Sequence, residues 1–380
     1  VASGVTTIDG ASLYAQEGAT LSLPNVASIG VYSGGSYWHA QGTNSVLDLS
    51  HLTSLAGGRF ERVPLGAPRN DVYSLVAGTG ADDSTLWVGT RLAGLVRVQE
   101  APWVVFDGAC GLPADQVFSI LEAPGPGGGA AIWLGTGSGV AVLEAGSLRT
   151  FGPSSGLPSG QVHALAAFPE PGGRPGVWAS LIGRGLWRFD GERWRRAEGG
   201  AGARADDAGA LLATTDEQGR PELWVGTERS GAAVLTARAW RTFGRAEGLP
   251  GDAVTALLAT RGPAGRTVWI GTRGGGLAEL SGGRAVAVHD RRNGLPNNHV
   301  LALAEVAGPG GRRELWVGTR GGLARRTLDG SGAGWTVLSD ETRPALPNNS
   351  VFVVLPARDG SVFLGTNRGV ARVVPRADAE

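Results

Sequence analysis

Short runs in which apolar residues alternate with polar ones fill this chain, and they end at glycine or proline turns. The runs come in a fixed order. The first follows a Leu-Pro turn, as in Val117-Phe118-Ser119-Ile120-Leu121, and leads into a loop such as Ala123-Pro124-Gly125-Pro126-Gly127-Gly128-Gly129. The second is built on a tryptophan, as in Leu315-Trp316-Val317-Gly318-Thr319. A glycine turn leads to the third, for example Gly94-Leu95-Val96-Arg97-Val98. The fourth carries an aromatic pair, as in Trp103-Val104-Val105-Phe106 or Trp240-Arg241-Thr242-Phe243. Period-two alternation bounded by turn residues predicts strands, and no window sustains a helical period. Each unit therefore reads as four short antiparallel strands, and the fold class is all-β.

The tryptophan run sets the repeat. Good copies contain Trp87, Trp133, Trp224, Trp269 and Trp316, a weaker one is Val177-Trp178-Ala179-Ser180, and the last has Phe363 in that place. Tyr37-Trp38-His39-Ala40 reads as an eroded first copy. From Trp38 to Phe363 the steps are 49, 46, 45, 46, 45, 47 and 47 residues. A fixed period in this range marks supersecondary units that bury their apolar faces only against one another. One closed β-propeller spanning 1–380 is predicted. Eight tryptophan-run positions predict eight blades, with seven as the alternative. The final unit, 344–380, lacks a fourth strand, and the N-terminal segment 1–22 is expected to supply it, leaving no open sheet edge.

Composition sharpens this picture. The 64 glycines and 21 prolines suit many tight turns, and 42% hydrophobic residues are enough for a large core. Basic and acidic residues balance at 34 each, so no net field draws in nucleic acid or an anionic membrane. All the basic residues are arginine, whose forks suit bidentate contacts to carboxylate or phosphate. The lone Cys110 excludes an internal disulfide framework and a cysteine zinc site. No run approaches the length of a membrane span. With no initiator methionine or signal peptide, the chain reads as a mature or excised portion.

Leu295-Pro296-Asn297-Asn298-His299-Val300 followed by Leu315-Trp316-Val317-Gly318-Thr319-Arg320-Gly321-Gly322-Leu323 resembles the two-component regulator propeller repeat. The best copies are residues 295–323 and 346–370, and the pattern covers nearly the whole chain. The resemblance implies the extracytoplasmic sensor part of a hybrid histidine kinase, diguanylate cyclase or related bacterial regulator. In carbohydrate-sensing members such a region precedes a β-sandwich, a membrane span and signalling domains.

The candidate chemistry lies in two sets of turns. Strand order puts the connection between the fourth and first strands on the same face as that between the second and third. The former carries Asn70, Asp115, Asp252, Asn298 and Asn349; the latter carries Arg91, Arg273 and Arg320, with Arg184, Arg229 and Arg368 slightly later in the turn. Asn and Asp commonly satisfy turn amides, and exposed arginines commonly pair with nearby carboxylates. The functional expectation is a ring of guanidinium groups at the channel mouth. Arg91, Arg184, Arg229, Arg273, Arg320 and Arg368, with Asn298 and Asn349, are its candidate ligand-binding residues. The tryptophans are expected in the packing between blades, with Trp187 off the pattern.

His39, His51, His163, His289 and His299 show no metal-ligand spacing and read as packed or solvent-bridged imidazoles. Asp82-Asp83 and Asp206-Asp207 are loop pairs whose carboxylates are expected to point apart. No nucleophile elbow, phosphate loop or HExxH segment occurs. No catalytic residue, metal ligand or cofactor is therefore assigned. The expected function is a non-catalytic, periplasmic or extracellular sensor or interaction propeller. It would take a small anionic or carbohydrate ligand, or a protein partner, with no nucleic acid. The alternatives are a propeller enzyme of the lyase or glycosidase kind and a scaffold without a small ligand. Streptogramin lyases have similar repeat periods, but their histidine-centred, magnesium-dependent site has no convincing counterpart here.

Overall fold

The computed structural model describes residues 71–374 apart from the short stretches 79–84, 99–103, 170–174, 198–204, 237–238, 263–264, 309–310, 330–333 and 343–345. Before residue 71 it describes the backbone of eight short strands. The side chains of Trp38 and His39 lie outside the described residues, as do His51, Asn70, Trp103 and the Asp82-Asp83 pair.

Seven four-stranded antiparallel sheets form the blades. The first contains Val72–Ala77, Leu86–Thr90, Leu95–Val98 and Val104–Phe106. The innermost strands of the next five are Val117–Pro124, Val162–Pro169, Ala208–Thr215, Val254–Gly262 and Val300–Ala307. The seventh blade holds Val351–Pro356, Val362–Thr366 and Gly369–Val374, and its fourth strand is Arg59–Val63. Consecutive innermost strands touch all the way round, including the last against the first, so the ring is closed.

The blade number corrects the expected eight to seven. The eroded Trp38 copy does not form a blade: Trp38–Gln41 pairs in parallel with Leu13–Gln16, in the register Leu13↔Trp38. Two further parallel sheets join Thr20–Ser22 to Val46–Asp48 and link Thr6–Thr7, Val26–Ile29 and Ser54–Leu55 in order. Each strand here pairs with one about 20–26 residues away (Thr6↔Val26, Leu13↔Trp38, Thr20↔Val46), a rise unlike the hairpin meander of a blade. The expected role of residues 1–22 in closing the last blade is taken by Arg59–Val63. By its internal contacts the chain divides into one unit of residues 1–60 with 373–380, and a second of residues 61–372.

The Gly-Thr end of the tryptophan strand explains why a blade needs that motif and why the Trp38 copy fails. A Cβ on Gly89 would lie 2.8 Å from Val117 Cγ1, the first residue of the next innermost strand. The same holds for Gly135 with Val162, Gly226 with Val254, Gly271 with Val300 and Gly318 with Val351. Gly365 meets Val72 in this way and closes the circle. Only glycine lets the neighbouring blade approach so closely. The third blade has Ser180 at this place, and the following blade starts with the smaller Ala208 instead of valine; both are fully buried. The weaker Ala-Ser-Leu-Ile copy is thus a compensated variant of the same joint. Each threonine then closes its turn: Thr90, Thr136, Thr227, Thr272, Thr319 and Thr366 donate through Oγ1 to the carbonyls of Gly94, Gly139, Gly231, Gly276, Gly322 and Gly369 at 2.8–2.9 Å. At the matching places after Trp38 the sequence has Ala40-Gln41, which offers neither function.

The tryptophans pack as expected. Trp87, Trp133, Trp178, Trp224, Trp269 and Trp316 are buried between sheets; Trp133, for example, packs with Phe151, Val177, Phe189 and Trp194. Trp133, Trp224, Trp269 and Trp316 donate their indole N–H to Pro124 O, Glu222, Thr260 and Glu314 respectively. Trp187 is half-buried and caps the Arg184 carbonyl at 3.0 Å.

Candidate functional site

The two turn sets share one face, and backbone hydrogen bonds lace them. Within a blade, the amide after the threonine donates to the residue just before the innermost strand, as in Arg91 N to Asp71 O at 3.0 Å and Arg273 N to Ala253 O at 2.8 Å. Between blades, a turn glycine donates to the next Leu-Pro turn, as in Gly94 to Asp115 O and Gly322 to Asn349 O. This face is therefore a rigid platform rather than a set of loose loops.

A second device acts beneath it. In every blade the register slips at the second residue of the innermost strand, leaving one residue unpaired. A β-bulge re-aims the side chain it carries. The seven residues so placed are Tyr73, Phe118, His163, Gly209, Thr255, Leu301 and Phe352. They form a tier around the channel just below its mouth, and it is lopsided. Phe352 meets Tyr73 edge-on at 5.5 Å, Tyr73 stacks on Phe118 at 5.5 Å, and Phe118 stacks on His163 at 4.6 Å. Four consecutive blades thus give a continuous half-buried aromatic arc. Opposite stand Gly209, Thr255 and Leu301. Thr255 ties its blade to the next by donating to Val300 O at 2.6 Å.

Above the small side of the tier the rim is ionic. Glu228 of the fourth blade accepts from Arg273 of the fifth at 2.9 Å, an ion pair across the blade boundary. Arg273 forms an isolated β-bridge with His299 of the sixth blade, and Arg320 N donates to His299 O at 3.2 Å. His299 thus touches the backbone of both arginines, and the charges of both act on its ring. Burial, then the charges of Arg320 and Arg273, push it down to about 4, so it is neutral at physiological pH. Burial also lowers His163; the Glu228 carboxylate opposes this and Arg273 adds to it, linking the aromatic arc to the ionic one. The Tyr73 hydroxyl is raised by burial, with Arg91 pulling it down and Asp71 pushing it up.

The expected arginine ring is only partly assembled. Arg91 pairs with Asp71 of its own blade at 3.3 Å, and Arg229 with Asp207 of its own at 3.7 Å. Arg320, Arg184 and Arg368 are exposed and have no carboxylate partner among the described residues. Arg91, Arg273 and Arg320 follow the threonine directly and sit on the inner rim, whereas Arg184, Arg229 and Arg368 lie further round the turn. Asn298 and Asn349 build loops: their side-chain oxygens accept from Arg291 N and Asp340 N, both at 2.8 Å. Asp206 and Asp207 face different arginines, Arg196 and Arg229. His289 packs between Trp269 and Trp335 with Glu279 at 3.4 Å. Among the described residues no three His, Cys, Asp or Glu side chains are grouped to hold a metal ion.

Tyr73, Phe118, Phe352 and Glu228 were not singled out from the sequence. The signal was present: in each unit the residue after the first apolar position of the first run is the bulged one, and aligning the repeats puts these aromatics in one column.

The fold and its mouth define a seven-bladed propeller with a polar-rimmed, half-aromatic channel. Its structural likenesses include extracellular domains of the kind that the repeat resemblance implied. The extracellular domain of the hybrid two-component system BT3049 of B. thetaiotaomicron superposes with a TM-score of 0.64 at 16% identity, over 84% of this chain and 42% of that one. The corresponding domain of BT4673 from the same organism gives 0.62 at 16% identity, over 83% and 39%. This chain thus spans about two fifths of the length of those domains. A streptogramin B lyase is also similar, with a TM-score of 0.60 at 13% identity over 84% of this chain and 98% of the lyase. No family model matches the sequence, and no curated protein matches it.

Proposed function

We propose that this chain is a non-catalytic recognition propeller, the periplasmic or extracellular sensing part of a bacterial two-component-type signalling protein, and that it takes its ligand at the channel mouth. The observation that carries this reading is the division of the mouth into an aromatic arc, Phe352-Tyr73-Phe118-His163, and an ionic arc, Glu228-Arg273-His299-Arg320. An acidic sugar has matching chemistry: an apolar ring face for stacking, hydroxyls for the rim, and a carboxylate for Arg320 and Arg273. Of the expected ligand residues, Arg273 and Arg320 make the direct contacts, Arg91 flanks Tyr73, and Arg184, Arg229 and Arg368 add to the field on the shoulder. Asn298 and Asn349 hold the turns that present them. The likeness to extracellular domains of hybrid two-component systems supports the sensor class.

The test is calorimetry with glucuronic acid and with glucose, on the wild type and on an Arg273→Ala/Arg320→Ala variant. The acid should bind more tightly than the neutral sugar, and the variant should lose that difference. Equal binding of both sugars by both proteins would leave the mouth without this role. Chemical conversion of the acid would replace sensing with catalysis.

A further inference from the structure

The residue after the threonine position takes the same place on the rim of every blade: Arg91, Gly137, Ile182, Glu228, Arg273, Arg320 and Asn367 in ring order. Glu228 is the one carboxylate in this column. Its amide donates to Asp207 O at 3.0 Å, as Arg273 N donates to Ala253 O, so the backbone sets it where the arginines stand. The fourth blade is exceptional in the tier below as well. Gly209 is the one tier residue without a side chain, and a Cβ there would meet nothing within 4 Å. Its φ is not positive, so the backbone does not call for glycine. Thr227 pairs in register with Ala208, which puts Glu228 on the mouth side of that pair and the Gly209 gap just beneath it.

Two acceptors beside this gap are unfilled. Glu228 takes the Arg273 guanidinium through Oε1 at 2.9 Å, and its Oε2 has no hydrogen bond among the described residues. The Glu228 side chain is 33% exposed, so that oxygen is within reach of a ligand. His163 of the neighbouring third blade stacks on Phe118 at 4.6 Å. Its ring nitrogens have no hydrogen bond among the described residues, and neither is sealed from solvent. Burial lowers its proton affinity, with Glu228 opposing and Arg273 adding to the effect, so the neutral ring offers one acceptor nitrogen. A charged and a neutral acceptor beside an empty gap suit a small cation that carries several N–H bonds.

We propose that Glu228, Gly209 and His163 form a subsite for a primary ammonium group, and that the ligand of the channel mouth is an α-amino acid with an apolar side chain. Arg273 and Arg320 take its carboxylate, as in the function proposed above, on which this assignment depends. The ammonium enters the gap at Gly209 and donates to Glu228 Oε2 and to the His163 ring. Glu228 and Arg273 are in contact, so the two charges of the ligand must also lie close together. In an α-amino acid a single carbon separates the groups that carry them. Positive and negative groups then alternate round Glu228, Arg273, the ligand carboxylate and the ligand ammonium. An acid without the ammonium leaves Glu228 Oε2 unfilled and brings a second carboxylate toward it. The apolar side chain lies against the aromatic arc that starts at His163 and Phe118.

Calorimetry on the full chain at neutral pH tests the proposal, with L-phenylalanine and with L-3-phenyllactate, which has a hydroxyl in place of the ammonium. The amino acid should bind about tenfold more tightly. Glu228→Gln should remove that difference without weakening phenyllactate, and Gly209→Val, which fills the gap, should remove it too. N-acetyl-L-phenylalanine, whose nitrogen is uncharged, should lose the advantage on the wild type, so the test stands even where a variant fails to fold. Equal binding of phenylalanine and phenyllactate by the wild type overturns the ammonium subsite, and so does a preference that survives Glu228→Gln. Binding of glucuronic acid without binding of phenylalanine overturns it as well, while leaving the mouth an acid site. No binding of any of these ligands up to about 20 mM overturns both readings.

Discussion

The two arcs of the channel mouth come from the same repeat, the same bulge and the same turns, yet they differ in chemistry. On the seventh, first, second and third blades the bulge carries Phe352, Tyr73, Phe118 and His163 in mutual contact. On the fourth, fifth and sixth it carries Gly209, Thr255 and Leu301, and the charges gather on the rim above. A rotationally repeated backbone thus becomes a directional site through side chains at one or two positions per blade. The positions that make blades, Gly-Thr and the tryptophan, stay nearly uniform round the ring. Those free of the ring-closing contacts carry the difference.

The comparison can be broken in stages. The largest effect should come from a residue in neither arc. Trp316→Ala empties a buried aromatic site between blades and should destabilise by about 3–5 kcal/mol in chemical denaturation. Glucuronic acid affinity of the folded fraction should persist; if affinity fell without loss of stability, the division between packing and recognition would be wrong. Phe118→Ala opens the middle of the aromatic arc. It should cost about 1–2 kcal/mol, less than a fully buried ring, and weaken acidic-sugar binding about tenfold. Gly209→Phe extends the aromatic arc into the small half. A Cβ there meets nothing within 4 Å, so the fold should hold while the ligand is excluded, as calorimetry and thermal melting together would show.

Smaller effects belong to the ionic arc. Arg320→Ala should change stability by less than about 0.5 kcal/mol, as expected for an exposed arginine without a carboxylate partner among the described residues, while lowering acid affinity and its salt dependence. His299 gives a pH signature. Its folded value of about 4 lies below its ordinary 6.5, so on acidification the unfolded chain takes up this proton first. The His299 contribution should therefore erode stability as pH falls from about 6.5 toward about 4, and be absent above that window. Nuclear magnetic resonance titration should find the depressed value, and an anion bound at Arg273 and Arg320 should raise it. An ordinary histidine titration would remove His299 from the field of the two arginines.

The repeat, the strand order, the shared face of the two turns and the burial of the tryptophans were legible because each repeats at the same place in every unit. The blade count was not. Trp38 satisfies the spacing but lacks the Gly-Thr that lets the next blade approach, and a step of 49 residues conceals a parallel ladder. Arg273 and Arg320 could be placed on the rim, but Glu228, the carboxylate that engages Arg273, lies 45 residues away in another blade. The bulge was hidden for a different reason: a single unpaired residue leaves period-two alternation almost intact over so short a strand.

The joint between blades also bears on how such a chain can be recombined. Each glycine is fitted to its successor's valine, so heredity here acts on junctions as well as on repeats. Any blade whose tryptophan strand carries the joint glycine and whose innermost strand begins with valine could be duplicated, deleted or exchanged with another like it without disturbing either seam. The third and fourth cannot be separated so freely: Ser180 needs the small Ala208 after it, and a valine-first blade grafted behind Ser180 would collide. Those two repeats form one linked segment, and shuffling libraries cut between them should yield few folded chimeras, while cuts at the other seams remain permissive.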